Sequence, residues 1–250
     1  MNSPRYSFPP GLFTRALLDF LLLRRRDLQN DARACIKHVK AELNVLGKEN
    51  IPQQGAYVLT INHYHRPGLG AQWLALATAA MVPIKMHWVV TEELMCKGKW
   101  YEAIGSRGSR IFLKRLADMY DLTRMPPMPP RPKDVAARAA AVRTVLGYVK
   151  GTKEPILGIS PEGHNPPNGV LTRPARGFGR FGLLLSNAGM KFIPVAGYEV
   201  DGIFHLHFGA PYELSVPSDL STDERDQYAT QIIMENIAHL LPIHLRGDFV

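Results

Sequence analysis

Ala56-Tyr-Val-Leu-Thr-Ile-Asn-His-Tyr-His-Arg-Pro-Gly-Leu-Gly70 is the stretch around which the chain is organised. Tyr57 to Ile61 is an apolar run rich in β-branched residues and of strand length. It stops at Asn62-His63-Tyr64-His65-Arg66, with Pro67, Gly68 and Gly70 as loop signals. Two imidazoles therefore stand at the end of a buried strand. In open α/β sheets the loops leaving the strand C-termini form the ligand crevice, which makes His63 the first candidate for chemistry. A loop histidine serves equally well as a hydrogen-bonded brace, so the rest of the chain must decide between the two.

Downstream, the alanine- and leucine-rich run Leu69 to Met81 predicts a buried helix, stopped by Pro83. Ile84, Met86, Trp88 and Val90 then alternate as a second strand leading to Glu92-Glu93-Leu94. Residues 97 to 111 mix Lys97, Lys99, Arg107 and Arg110 with three glycines and are expected to form a mobile basic loop, with a helix over 111–120. Met125 to Pro132 is proline-rich and reads as a stiff connector. Val135 to Val149 is an amphipathic helix with Val135, Ala139, Val142, Leu146 and Val149 along its predicted apolar face.

Pro155 to Ser160 is a short strand ending at Pro161-Glu162-Gly163, followed by a basic run with Arg173, Arg176 and Arg180. Glycines 177, 179 and 182 lie in or beside the next helix, where close backbone approach explains them. Phe178, Phe181, Leu184 and Leu185 form its expected buried face and Gly189 its C-terminal cap. Phe192 to Ala196 and Ile203 to Phe208 are further strands, and Ser221-Thr-Asp-Glu224 is a capping box opening a last helix to Leu241. This alternation predicts an α/β fold, a mostly parallel sheet flanked by helices, with an N-terminal helical pair.

That pair comprises Leu12 to Leu23, followed by Arg24-Arg25-Arg26, and Asp27 to Leu46, with Ile36, Val39, Leu43 and Leu46 at helical spacing. The first apolar run spans roughly 18 Å, too short to cross a bilayer alone. Asp19 inside it and the triple arginine after it do not fit a secretory signal. Two readings stand: an interfacial helix with its leucines at the acyl boundary, or a helix packed on the domain. Residues 1–46 are accordingly expected to be a membrane-docking segment and 47–250 the α/β domain.

The 250 residues, 46% hydrophobic and 21% charged, are globular in composition. A formal charge of +8 points to an anionic partner: a membrane surface, nucleic acid or a phosphorylated small molecule. No interleaved basic and aromatic motif favours nucleic acid. Cys35 and Cys96 lack C-x-x-C spacing, so neither a zinc site nor a disulfide framework is expected.

Three strand ends, Asn62-His63, Ser160-Pro161-Glu162-Gly163 and Ile193-Pro194-Val195, resemble in order and separation the blocks of the glycerolipid acyltransferase family. Thr91-Glu92-Glu93-Leu94 and Arg176-Gly177 are similar to further family segments, and the resemblance covers roughly residues 45 to 215. It implies a cytoplasmic enzyme, peripheral on the inner face of the membrane. Such an enzyme moves an acyl group from acyl-CoA or acyl carrier protein to a lysophospholipid or glycerol-phosphate hydroxyl, without a metal or other cofactor. His63 would be the general base. Glu162 and Gly163 would position acceptor hydroxyls beside Asn62, and Arg124 and Arg176 would pair with phosphate.

Two departures stand out. Gly68 occupies the position of the aspartate that supports the family's histidine, and His164-Asn165 replaces a Thr-Arg pair after the Pro-Glu-Gly block. Losing that carboxylate can cost on the order of 10⁴ in rate by analogy with serine protease triads. His65, Glu92 and Glu93 are the candidate substitutes. The alternative is a catalytically silent lipid-binding protein on the same fold.

Overall fold

The structure, a computed structural model, describes residues 5–94, 102–128 and 130–249. Apolar runs without alternation form the central strands, because strands covered by helices on both faces have no solvent side to make polar. The described strands are β1 (Glu42–Leu46), β2 (Tyr57–Ile61), β3 (Met86–Thr91), β4 (Thr123–Met125), β5 (Ile156–Ile159), β6 (Lys191–Val200) and β7 (Ile203–Phe208). They pair in the order β1-β7-β6-β2-β5-β3-β4. Among the described strands only β6 and β7 are antiparallel to each other, joined by a tight Asp201-Gly202 turn with both residues at positive φ.

Among the described residues seven α-helices surround the sheet: α1 (Pro10–Leu21), α2 (Leu28–His38), α3 (Ala71–Met81), α4 (Glu102–Tyr120), α5 (Val135–Gly151), α6 (Phe178–Asn187) and α7 (Thr222–Ala238). Leu74 of α3 lies where a side chain on Gly197 would stand, which places α3 on one face of the sheet. Tyr148 of α5 stacks on His87, with ring centroids 4.3 Å apart, on the other face. The glycines of α6 admit α7 closely: a Cβ on Gly179 would stand 1.9 Å from the Asp226 carbonyl oxygen. Gly189, at φ +86°, closes α6 in a Schellman arrangement, with Met190 N–H on Leu185 O and Gly189 N–H on Ser186 O. Ser221 and Glu224 form the expected capping box on α7.

Several expectations need correction. The second helix ends at His38, capped at its start by Asp27, and residues 42–46 are a strand paired in parallel with β7. Leu43 fits a strand's alternation with Val45 as well as a helical stripe with Ile36, Val39 and Leu46, and pairing with β7 decides between them. The sheet therefore begins before residue 47. The basic stretch expected as a loop is helical from Glu102 onward, and its residues 97–101 lie outside the described part. The buried stripe of α5 is Ala141, Val145 and Val149, with Val135 and Ala139 exposed, because the helix is rotated relative to the predicted face. In α6, Phe181 and Leu185 are buried but Leu184 is exposed.

The helical pair is present, and α1 buries none of its residues. It leans on α4, with Phe20 against Phe112 at 5.4 Å and the Arg115 guanidinium over Phe20. Phe13, Leu17, Leu18 and Leu21 on the helix, with Leu22 and Leu23 after it, are left exposed.

Candidate active site

β2 runs between β5 and β6, both later in the chain, so the loop leaving β2 lies among the C-terminal ends of all three. Asn62 begins that loop. Its amide accepts the Gly197 N–H (2.7 Å) and donates to the Gly197 carbonyl (3.0 Å), fully buried. Asn62 thus sews β2 to β6, using both functions of the amide on backbone rather than on substrate.

Glu162, at the end of β5 and only 1% exposed, anchors the next residue. One carboxylate oxygen accepts the His63 N–H at 2.6 Å; the other accepts the Thr172 N–H (2.9 Å) and hydroxyl (3.1 Å). Burial pushes its carboxyl above the usual range, against the pull of these hydrogen bonds. The geometry gives Glu162 the work of holding the histidine loop to the segment after β5.

Arg66-Pro67-Gly68-Leu69 closes the loop as a reciprocally bonded tight turn, Arg66 N–H to Leu69 O and Leu69 N–H to Arg66 O, each 3.0 Å. Proline followed by glycine at φ +89° is the type II pattern. The residue in place of the family aspartate is therefore glycine for a conformational reason. Arg66 is paired with Glu199, at the end of β6, which also accepts the Tyr6 hydroxyl at 2.5 Å. The Tyr64 ring is buried beneath Gly169.

So framed, the His63 ring is half-buried, and its Nδ1 lies 3.4 Å from Asn165 Oδ1. Burial holds the imidazole below its ordinary pKa, opposed by the Asn165 contact and aided by the nearby His164. A neutral imidazole at pH 7 is the form a general base requires. His164 turns its own Nδ1 to the Glu162 carbonyl at 2.8 Å.

The other candidates lie elsewhere. His65 is exposed. Glu92 and Glu93 follow β3, two strands from β2; Glu93 is buried and gripped by Arg110 (2.6 Å) and Arg131 (3.0 Å). None of the three partners His63. Asn165 does, and a sequence does not show which loop residue folds back over the ring. Its position as a departure from the family pattern was the available signal.

Arg124 is on edge strand β4, three strand spacings from β2, roughly 14 Å at ~4.8 Å each. Arg176 lines a cleft of about 250 Å³ with Gly177, Arg180, Asp223, Asp226 and Gln227. The first N–H groups of α6, a ready anion site, are filled there by Asp226, which accepts from Gly177 (2.7 Å) and Arg180 (2.8 Å). Gly163, at φ +66°, sits under Met128 of the proline-rich segment. Neither arginine touches His63. Among the described residues no group of three or more His, Cys, Asp or Glu is placed to hold a metal ion.

Fold and site together define a largely parallel α/β domain with a histidine held at a central strand end by a buried glutamate. The pattern of the Acyltransferase family matches residues 42–197, and the chain belongs to that family. The match runs from the first residue of β1 to Gly197, the backbone partner of Asn62. Among solved structures, the 1-acyl-sn-glycerophosphate (LPA) acyltransferase PlsC from Thermotoga maritima is similar in fold, with a TM-score of 0.54 and 15% identity over 91% of this chain and 88% of that one. No curated protein matches the sequence.

Proposed function

We propose that this member of the acyltransferase family transfers an acyl group from a thioester donor, acyl-CoA or acyl carrier protein, to the hydroxyl of a lysophospholipid or glycerol-phosphate-type acceptor at a membrane surface. The observation that carries the reading is His63, neutral and fixed by its backbone to buried Glu162 in a loop at the C-terminal sheet edge. In the reaction Nε2 removes the hydroxyl proton as the oxygen attacks the thioester carbonyl. The tetrahedral intermediate collapses with cleavage of the C–S bond, and the imidazolium returns the proton to the departing thiolate. No metal takes part in this sequence.

The membrane half of the proposal rests on α1. Among the described residues no helix is long and apolar enough to cross a membrane. The exposed leucines of α1, with Ile111 and Phe112 of neighbouring α4 and with Arg24 and Arg25 beside them, instead suit a helix lying at the interface of a bilayer's cytoplasmic leaflet. Release of free thiol from acyl-CoA and from acyl-ACP, measured with a panel of lysophospholipids in anionic liposomes, tests the proposal. Acceptor-dependent thiol release with acylated product supports it. No turnover with either donor, alongside intact lipid binding, favours the catalytically silent lipid-binding protein.

A further inference from the structure

An amide stands where the acyltransferase pattern leaves the histidine without its carboxylate. Gly68 supplies no side chain, and a Cβ built there meets nothing within 4 Å. The carboxylates nearest in sequence pattern, Glu92 and Glu93, belong to another strand end, and Glu93 is consumed by two arginines. What faces the ring is Asn165 Oδ1, 3.4 Å from Nδ1.

Its placement is built in. Both ends of the excursion from Gly163 to Leu171 are fastened to one side chain: the loop leaves Glu162 and returns at Thr172, which donates twice to the Glu162 carboxylate. The same carboxylate holds the His63 backbone. The excursion turns through left-handed Gly163, Asn168 and Gly169, and Leu171 N–H is tied to Leu245 O at 2.9 Å. The 3.4 Å separation is long for a hydrogen bond, as contacts to a catalytic base commonly are before substrate closes the site.

We infer that Asn165 is the positioning residue for His63: its side-chain oxygen accepts the Nδ1 proton and leaves Nε2 as the unprotonated base. Histidine–asparagine pairs perform this orienting role in papain-like proteases. An amide orients the ring and selects the tautomer, but adds no negative charge to stabilise imidazolium. The site therefore keeps a base of low pKa, whose titratable neighbours are His164 and, through its backbone contact, Glu162.

The inference rests on the acyl-transfer reading only for its rate readout; the tautomer is observable without turnover. The experiment records long-range ¹⁵N–¹H imidazole spectra of the parent, of Asn165→Ala and of Asn165→Asp. His63→Gln identifies the His63 signal, and the same proteins are assayed for thiol release across pH. The parent is expected to carry its proton on Nδ1. Asn165→Ala, at an exposed position where thermal unfolding is expected to stay unchanged, is expected to lose that preference and about tenfold in kcat, a tenth to a thousandth of the span a general base supplies, with KM within twofold. Asn165→Asp is expected to keep the tautomer and raise the ring's titration midpoint by about one unit or more, carrying the acid limb of the rate profile upward with it.

A parent proton on Nε2 overturns the inference, as does a tautomer or kcat indifferent to Asn165→Ala. So do Ala and Asp variants that fall equally with no shift in pH profile. An Asn165-dependent Nδ1 tautomer in a protein with no turnover refutes the acyl-transfer proposal and supports the positioning role.

Discussion

Replacing Leu17, Leu18, Leu21 and Leu22 together by serine separates a membrane-facing α1 from a helix that merely packs on the domain. The four side chains are 47%, 53%, 63% and 58% exposed in the folded protein. Full burial of a leucine stabilises by about 1.5–3 kcal/mol, so immersing the exposed half of each contributes roughly 1 kcal/mol. The set then contributes about 4 kcal/mol, on the order of 10³ in partition coefficient at 1.4 kcal/mol per decade. Co-sedimentation with vesicles containing anionic phospholipid, at several lipid concentrations, measures this directly. Folding stability should fall far less than four core leucines would cost, at about 2–5 kcal/mol each, since α1 buries none of its residues. A variant that binds vesicles as the parent does, or whose urea midpoint collapses, refutes the reasoning and makes α1 part of the core.

Four further outcomes are expected. Glu162→Ala leaves the His63 N–H and both Thr172 donors without their acceptor; at about 1–3 kcal/mol per buried unsatisfied group, urea denaturation should register a loss of 3 kcal/mol or more. Gly179→Ala should destabilise by at least about 1–3 kcal/mol, because its Cβ falls on the Asp226 carbonyl. Gly147→Ala in α5, with nothing within 4 Å, should gain roughly 0.5–1 kcal/mol; thermal unfolding of the pair checks both. Because burial lowers the His63 pKa, its neutral form persists below the usual histidine midpoint near 6.5. The acid limb of kcat/KM should therefore lie below about pH 6.5, and a limb above pH 7 would contradict that environment.

The strands that carry the site were legible because their chemistry is local. Tyr57–Ile61, Ile156–Ile159 and the Phe192 to Ala196 part of β6 are apolar runs bounded by loop residues, and a sheet buried on both faces leaves them no other use, although β6 runs on through Gly197 to Val200, where it pairs with β7. Two of the glycines singled out around α6, Gly179 and Gly182, were legible for a similar reason, since they cost helix propensity that close packing offsets, whereas Gly177 is the left-handed cap before the helix and meets nothing within 4 Å. Residues 42–46 read as helix because Leu43 and Leu46 continue the spacing of Ile36 and Val39, while Leu43 and Val45 fit a strand's alternation, and the partner that decides, β7, lies about 160 positions later. Asn62 and Glu162 stood out by their motif, but sequence pointed them at substrate whereas both are spent on backbone. Asn165 is a contact across 102 positions, and no spacing rule announces it.

The most direct test of the central claim is acyl transfer from a labelled acyl-CoA to lysophospholipid in liposomes, comparing the parent with His63→Ala. Loss of turnover on the order of 10²–10⁴, the share of a general base, with vesicle binding unchanged, is the predicted result. Equal turnover by the two proteins would contradict His63 as the base and the site built around it.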